Sequence, residues 1–235
     1  IPNCISYDPT YAYELAVIIQ DGLRRMYAER ENCFYYITTM NENYPQPALP
    51  EGVEEGIVRG MYRLREGSGN GPAVRLGGAG SILREVEAAA ETLEHEYGVS
   101  AEVWSLTSVN ELQREGKSVQ RWNLLHPGEE QREPYFTQQL KGSEAPFVVA
   151  TDYMKSYSEQ LRALSPVPLY VLGTDGFGRS DTRGKLRQFF EVSREYVVFT
   201  ALRSLADAGA LPMERVLEAR EALGIDPEKP DPTTV

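Results

Sequence analysis

From residue 73 onward, short apolar runs alternate with stretches of helical periodicity, and this alternation restricts the chain more than any other feature. Ala73–Gly77, Glu102–Leu106, Phe147–Thr151 and Val167–Leu172 read as strands. Helices are predicted over 81–97, near 118–125, near 134–141, and over 153–164, 182–190, 193–208 and 212–223. Apolar strands that recur with helices between them imply a mostly parallel sheet covered on both faces. The expected fold class is therefore α/β, a three-layer arrangement with a mostly parallel sheet and one antiparallel strand. The antiparallel strand is Met61–Glu66, which flanks Gly67-Ser68-Gly69-Asn70-Gly71 together with Ala73–Gly77. That turn chemistry predicts a hairpin at or near the sheet edge.

Smaller signals fix the ends of elements. Gly98 sits where a helix-terminating glycine belongs. Ser108 and Glu111 have the spacing of a capping box. The tail from Asp226 to Pro232 carries three prolines and is expected to be mobile.

The first 44 residues have a different character. Leu15, Ile18, Ile19, Leu23, Met26 and Tyr27 recur at helical spacing, so a helix is predicted over 10–27, with Asp8-Pro9-Thr10 as its start. Asn32–Met40 (NCFYYITTM) is aromatic and β-branched, as in a buried strand. One helix and one strand cannot bury their own apolar faces, so Leu15, Ile18, Ile19, Leu23, Phe34, Tyr36 and Ile37 need a partner surface. Pro45, Pro47, Pro50 and Gly52 then mark a boundary. The expected division is 1–50 and 51–235. The chain opens Ile1-Pro2-Asn3-Cys4 with no initiator Met, as expected of a piece of something longer.

Composition excludes several classes. Against 24 Lys and Arg stand 35 Asp and Glu, a net charge of −11, with no basic stripe. Nucleic acid and anionic membrane surfaces are therefore not expected partners. No apolar run is long enough to span a membrane, and no secretory signal pattern is present. Two cysteines, Cys4 and Cys33, cannot make a disulfide framework, so a reducing cytoplasm is the expected location.

Two loops carry candidate chemistry. The Gly77–Ser81 turn between strand and helix has the glycines that let backbone amides meet a phosphate. It lacks the offsets of a dinucleotide or phosphate-loop fingerprint, so it reads as a tight turn with Ser81 capping the helix. The Gly173–Asp181 loop follows a predicted strand, at the edge where open α/β sheets place ligands. Its candidate functional or interface residues are Asp175, Phe177, Gly178, Ser180 and Asp181. It reads equally as a turn in which Ser180 or Asp181 caps the next helix. His95 lies on a polar helical stretch and His126 precedes Pro127. With no clustered cysteines, no metal site is legible, and no Ser or Cys has the context of an activated nucleophile. No catalytic, cofactor-binding or metal-binding residue is assigned.

Several blocks carry a family resemblance: Ile1–Glu14 (IPNCISYDPTYAYE), Tyr35–Tyr44 (YYITTMNENY), Pro50–Gly56, Gly80–Arg84, Arg121–Pro127 (RWNLLHP), Thr151–Lys155 and Leu172–Asp181 (LGTDGFGRSD). In order along nearly the whole chain, they resemble the homodimeric bacterial pyruvate dehydrogenase component, acetyl-transferring and thiamine-diphosphate dependent, in its C-terminal part. The resemblance implies that 1–50 is the end of the pyrimidine-binding, transketolase-like domain plus a linker. Residues 51–235 would be a transketolase C-terminal-like domain with a structural and dimerising role. It implies a parent enzyme that decarboxylates pyruvate on thiamine diphosphate and magnesium. That enzyme reductively acetylates the lipoyl group of the dihydrolipoyl acetyltransferase component, its partner in the multienzyme complex. The family holds the cofactor diphosphate with a glycine-aspartate-glycine segment followed by paired asparagines. Here Asp175-Gly176 follows Thr174 and no such pair comes after, so no cofactor is expected on this segment alone. The alternative is a stand-alone, non-catalytic α/β module that uses the Gly173–Asp181 loop to bind a ligand.

Overall fold

A computed structural model describes residues 1–235. Cys4–Tyr7 forms β1, Ala12–Leu23 forms α1 and Phe34–Ile37 forms β2. β1 and β2 lie parallel in a sheet of two strands, Cys4 beside Phe34 and Tyr7 beside Ile37. The sequence reading misses β1, because four residues between Pro2-Asn3 and Asp8-Pro9 are too short for a periodic signal. Helix α1 begins later than expected. Glu14, in its first turn, reaches back to the Thr10 and Tyr11 amides. Asp8 is not the cap; its carboxylate is engaged elsewhere, as described below. Beyond α1, a wider turn over Arg24–Ala28 closes with the Glu29 amide donating to the Arg24 carbonyl.

The remaining elements are α2 (Glu54–Arg59), β3 (Tyr62–Arg65), β4 (Ala73–Gly78), α3 (Leu83–Glu96), β5 (Ser100–Ser105) and α4 (Val109–Leu125). They continue with α5 (Tyr135–Leu140), β6 (Phe147–Ala150), α6 (Lys155–Glu159), β7 (Leu169–Leu172), α7 (Arg183–Phe189), α8 (Arg194–Asp207) and α9 (Met213–Ala222). The larger sheet runs β3-β5-β4-β6-β7. β4 is parallel to both β5 and β6, β7 is parallel to β6, and β3 is antiparallel to β5 at the edge. The mostly parallel α/β sheet with one antiparallel strand is therefore as the sequence implies.

The hairpin is not. β5 occupies the gap between β3 and β4, with Tyr62 opposite Ser105 and Ala73 beside Ser100. The glycine-rich stretch passes over the start of β5 instead of reversing tightly, and the Gly69 amide donates to Ser100 Oγ at 3.0 Å. The stretch near 118–125 is the second half of one continuous helix, α4. Its Ser108 cap is real, Oγ accepting from the Glu111 amide at 3.0 Å. The predicted 153–164 helix divides into α6 and a tighter turn over Arg162–Leu164.

Side chains alternate across the sheet with the strand period. Val148 and Ala150 join Val74, Leu76, Ala101 and Val103 against α3, α8 and α9. Phe147 and Val149 join Trp104 and Leu169 on the other face, against α4 and α5. A third cluster ties the first segment to the rest: Ile5, Tyr7 and Ile18 bury with Ile57 and Tyr62. Of the seven apolar side chains that need a partner, Ile18 is fully buried, while Leu15 and Ile37 are half-buried. Ile19, Leu23, Phe34 and Tyr36 are exposed.

Candidate functional site

The sheet reverses its winding at β4, since the chain goes from β4 to β5 on one side and later to β6 and β7 on the other. Open α/β sheets leave a crevice beyond the carboxyl ends of the strands at that point. Here it holds a cavity of about 300 Å³, walled by Ser81 after β4, Asp152 after β6 and Thr174 after β7. Its outer wall is basic, formed by Arg179, Arg183 and Arg187.

Close packing places these groups. A Cβ on Gly78 would stand 2.6 Å from Leu83 Cα, so glycine alone lets α3 approach the end of β4. Ser81 does not cap α3. It lies in a short 3₁₀ turn over Gly80–Ile82, and Oγ faces Asp152 Oδ2 at 3.4 Å. A cap needs the residue flanking the first helical turn, and here the intervening turn fills that place. On the opposite wall, Gly176 has φ +105°, and a Cβ there would lie 2.2 Å from the Pro232 carbonyl. The tail therefore lies directly against the loop. It is held further by Lys229 Nζ, which donates to the Phe189 carbonyl at 2.6 Å and to Glu191 at 3.0 Å.

Arg183 and Arg187 belong to a network that reaches back to Glu42. Arg84 Nη1 and Arg187 Nη2 donate to Glu42 at 2.9 and 3.1 Å, and Arg183 Nε is 3.6 Å from it. Arg183 Nη2 also donates to Asn41 Oδ1 at 2.8 Å. The buried Glu85 accepts from Arg187 Nη1 at 2.9 Å and from both the amide and Nε of Arg194 at 3.1 Å. Burial alone would raise the Glu85 carboxyl, but Arg194 and then Arg187 outweigh it and hold the group below the ordinary carboxylate value. Arg179 stands over the Phe189 ring at 4.9 Å.

Of the residues singled out in the sequence, Gly178 lines the cavity. Asp175 does not; its Oδ2 accepts from the Lys155 amide at 3.3 Å. Phe177 is exposed between two lining glycines. Ser180 and Asp181 do not cap α7. That helix begins at Arg183, so the flanking residue is Thr182, and Asp181 Oδ1 accepts from the Thr182 amide at 2.7 Å. The sequence reading missed the arginines. Their signal was present: Arg179, Arg183 and Arg187 recur every four residues in an acidic chain. No three His, Cys, Asp or Glu side chains lie together as a metal site would require.

A second polar assembly joins the first segment to the large sheet. Asp8, 6% exposed, accepts from Thr38 Oγ1, Tyr153 Oη and Tyr157 Oη at 2.8, 2.7 and 2.8 Å. Burial and the Asp8 charge push both tyrosine hydroxyls above their ordinary value. Glu14, fully buried, accepts from Tyr62 Oη at 2.7 Å and Ser105 Oγ at 2.6 Å as well as from the helix-start amides. Both carboxylates are buried, and their contacts hold the two parts together.

Residues 60–193, which contain the whole large sheet, match the transketolase-like TK C-terminal domain, and the chain belongs to that family. Residues 1–47 match the pyruvate dehydrogenase E1 component middle domain. Over its entire length the chain is similar to the pyruvate dehydrogenase E1 component of Cupriavidus necator, 54% identical over 237 residues, which are 100% of this chain and 26% of that protein. The Escherichia coli (strain K12) pyruvate dehydrogenase E1 component is likewise 54% identical over 234 residues, 99% of this chain and 26% of that protein. The chain thus spans about a quarter of the length of these relatives. Among solved structures, a transketolase from Leishmania mexicana superposes with TM-score 0.59 at 20% identity, over 89% of this chain and 27% of that one. At that identity the likeness speaks to the fold.

Proposed function

We propose that this chain serves as the last quarter of a pyruvate dehydrogenase E1 component. Its role there is to scaffold and dimerise, and it does not contact the reacting atoms. The observation that carries this reading is identity of 54% over the full chain to proteins of that name. The parent enzyme decarboxylates pyruvate on thiamine diphosphate with magnesium. It passes the acetyl unit reductively to the lipoyl group of the dihydrolipoyl acetyltransferase component, as a cytoplasmic homodimer within the multienzyme complex. Carbanion stabilisation is the cofactor's chemistry, and protein supplies position and surroundings. The residues here do not fit the cofactor's diphosphate and metal. Asp175, the acid of the glycine-poor Thr174-Asp175-Gly176 segment, has an oxygen on the Lys155 amide, and no carboxylate cluster accompanies it. The cofactor is therefore assigned to the rest of the parent. The exposure of Ile19 and Leu23 on α1 and of Phe34 and Tyr36 on β2 supports the assignment of the first 50 residues to a larger domain, which would cover them.

A chimera tests the proposal. The chain replaces the corresponding quarter of the Escherichia coli (strain K12) relative, and pyruvate-dependent acetyl transfer to a lipoyl domain is measured. The expected result is an active, dimeric enzyme, with no turnover by the 235-residue chain alone. A chimera that dimerises and binds thiamine diphosphate but does not turn over would overturn the assignment.

A further inference from the structure

We propose that the cavity beyond β4, β6 and β7 is a binding site for a phosphate monoester dianion, separate from the chemistry assigned to the parent enzyme. The first ground is its position. It lies at the reversal point of a parallel sheet, between the turns that follow β4, β6 and β7, where open α/β sheets receive ligands.

The second ground is charge. The charged side chains on the cavity wall are Arg179, Arg183, Arg187 and Asp152. Arg187 is paired with Glu42 and Glu85, Arg183 lies beside Glu42, and Arg179 stands over the Phe189 ring with no carboxylate partner. Three guanidiniums against one carboxylate leave the wall itself a surplus of two positive charges, in a chain whose net charge is −11. A phosphate monoester carries between one and a half and two negative charges near neutrality, which matches that surplus. Arginine forks also pair with phosphate through two parallel hydrogen bonds.

The third ground is the way the local acids are engaged. Asp175 and Asp181 belong to the same loop, yet neither lines the cavity, and each has an oxygen on a backbone amide. Asp152 does line it, with one oxygen towards the Ser81 hydroxyl. Arg179 and Arg183 are both exposed and can turn towards a ligand without disturbing the core, whereas Arg187 is fixed by Glu42 and Glu85. The volume of about 300 Å³ is at the small end of ligand pockets. It suits one phosphorylated small molecule and not an extended polyanion.

Isothermal titration of the full chain in 150 mM sodium chloride, about the physiological ionic strength at which exposed charges are well screened, tests the proposal. The probes are inorganic phosphate, glycerol 3-phosphate and AMP. Saturable one-to-one binding of a monoester is expected. Arg179→Ala and Arg183→Ala should each weaken it at least about tenfold, the worth of a charged hydrogen bond. Asp152→Asn should tighten it, because a like charge is removed from the wall, and a gain cannot arise from misfolding. Equal binding of glycerol 3-phosphate and AMP would mean that only the phosphate is read. A clear preference for AMP would assign a base contact to the exposed Phe177. No saturable heat up to 10 mM of any probe, about the weakest affinity of interest, overturns the proposal. So does binding that neither arginine substitution changes. The chimera experiment reads acetyl transfer alone, so failure of either proposal leaves the other standing.

Discussion

The Glu14 carboxylate and the Tyr62 hydroxyl, 2.7 Å apart and both buried, join the first helix to the edge strand of the large sheet. Ser105 Oγ, on the neighbouring strand β5, donates to the same oxygen at 2.6 Å, and Tyr13 Oη stands 2.6 Å from Tyr62 Oη. Burial pushes the Tyr13 hydroxyl up to about 12. One acid thus answers donors from two helix-start amides and two strands.

Glu14→Ala should therefore be among the most damaging single changes. Each buried donor left without a partner costs about 1–3 kcal/mol, and several are orphaned together. A loss of at least about 3 kcal/mol is expected in urea denaturation, with Glu14→Gln milder because it keeps one carbonyl oxygen. A loss below about 1 kcal/mol for the alanine variant would show that the first segment is not anchored through this acid.

Glu85 predicts a pH dependence. Its folded value is held below the ordinary one by Arg194 and Arg187 against the burial that would raise it. A depressed carboxyl stabilises the fold above its unfolded value, near 4.3, and that contribution is lost as pH falls through the folded value. Glu85→Gln should cost about 2 kcal/mol at pH 7, as expected for hydrogen bonds to charged groups. The gap from the parent chain should narrow as the pH drops below about 4. Paired urea titrations across that range measure it. A gap that stays constant or widens towards acid would contradict the ion-pair account.

The contrast between what the sequence shows and what it hides has a physical pattern. β4, β5, β6 and β7 are legible because their apolar runs answer to a sheet covered on both faces. β3's place beside β5 is not legible, because turn chemistry reports that the chain bends at 67–71 but not what passes beneath it. Ser100, the residue that receives the Gly69 amide, is about thirty positions away. The cavity was half legible. Strand-end position marked the Gly173–Asp181 loop, and Gly178 does line the space. The arginines recur every four residues, but that spacing does not say what they face: Glu42, the partner of Arg183 and Arg187, lies before the proline-rich boundary.

Gly78 offers a packing test. A Cβ there meets Leu83 Cα at 2.6 Å, backbone against which nothing flexible can yield. Gly78→Ala must push α3 off the strand end, and overpacking of this kind costs about 1–3 kcal/mol. Because Ser81 rides on the same turn, the cavity should deform as well. The expected outcome is a lowered melting temperature. Unchanged stability would mean that the turn relaxes freely and does not fix the cavity wall.

The exposed apolar side chains Ile19 and Leu23 of α1 and Phe34 and Tyr36 of β2 provide the last test. Tyr36 is 61% exposed, and β2 belongs to a sheet of only two strands. β2 pairs with β1 on one side and has no strand on the other, and such an edge beside apolar side chains favours association with further chain. The isolated chain should therefore self-associate as concentration rises. Ile19→Glu combined with Tyr36→Lys should oppose this by placing charge among these side chains. Because neither side chain is in the core, the folded state should lose no more than about 0.5 kcal/mol, the ordinary range for surface changes. Sedimentation velocity across a concentration series reads the first effect and urea denaturation the second. In the chimeric enzyme the same pair should lower activity or dimer yield, because there these side chains are covered. A wild-type chain that stays monomeric throughout, with a chimera indifferent to both substitutions, would show that these side chains have no partner.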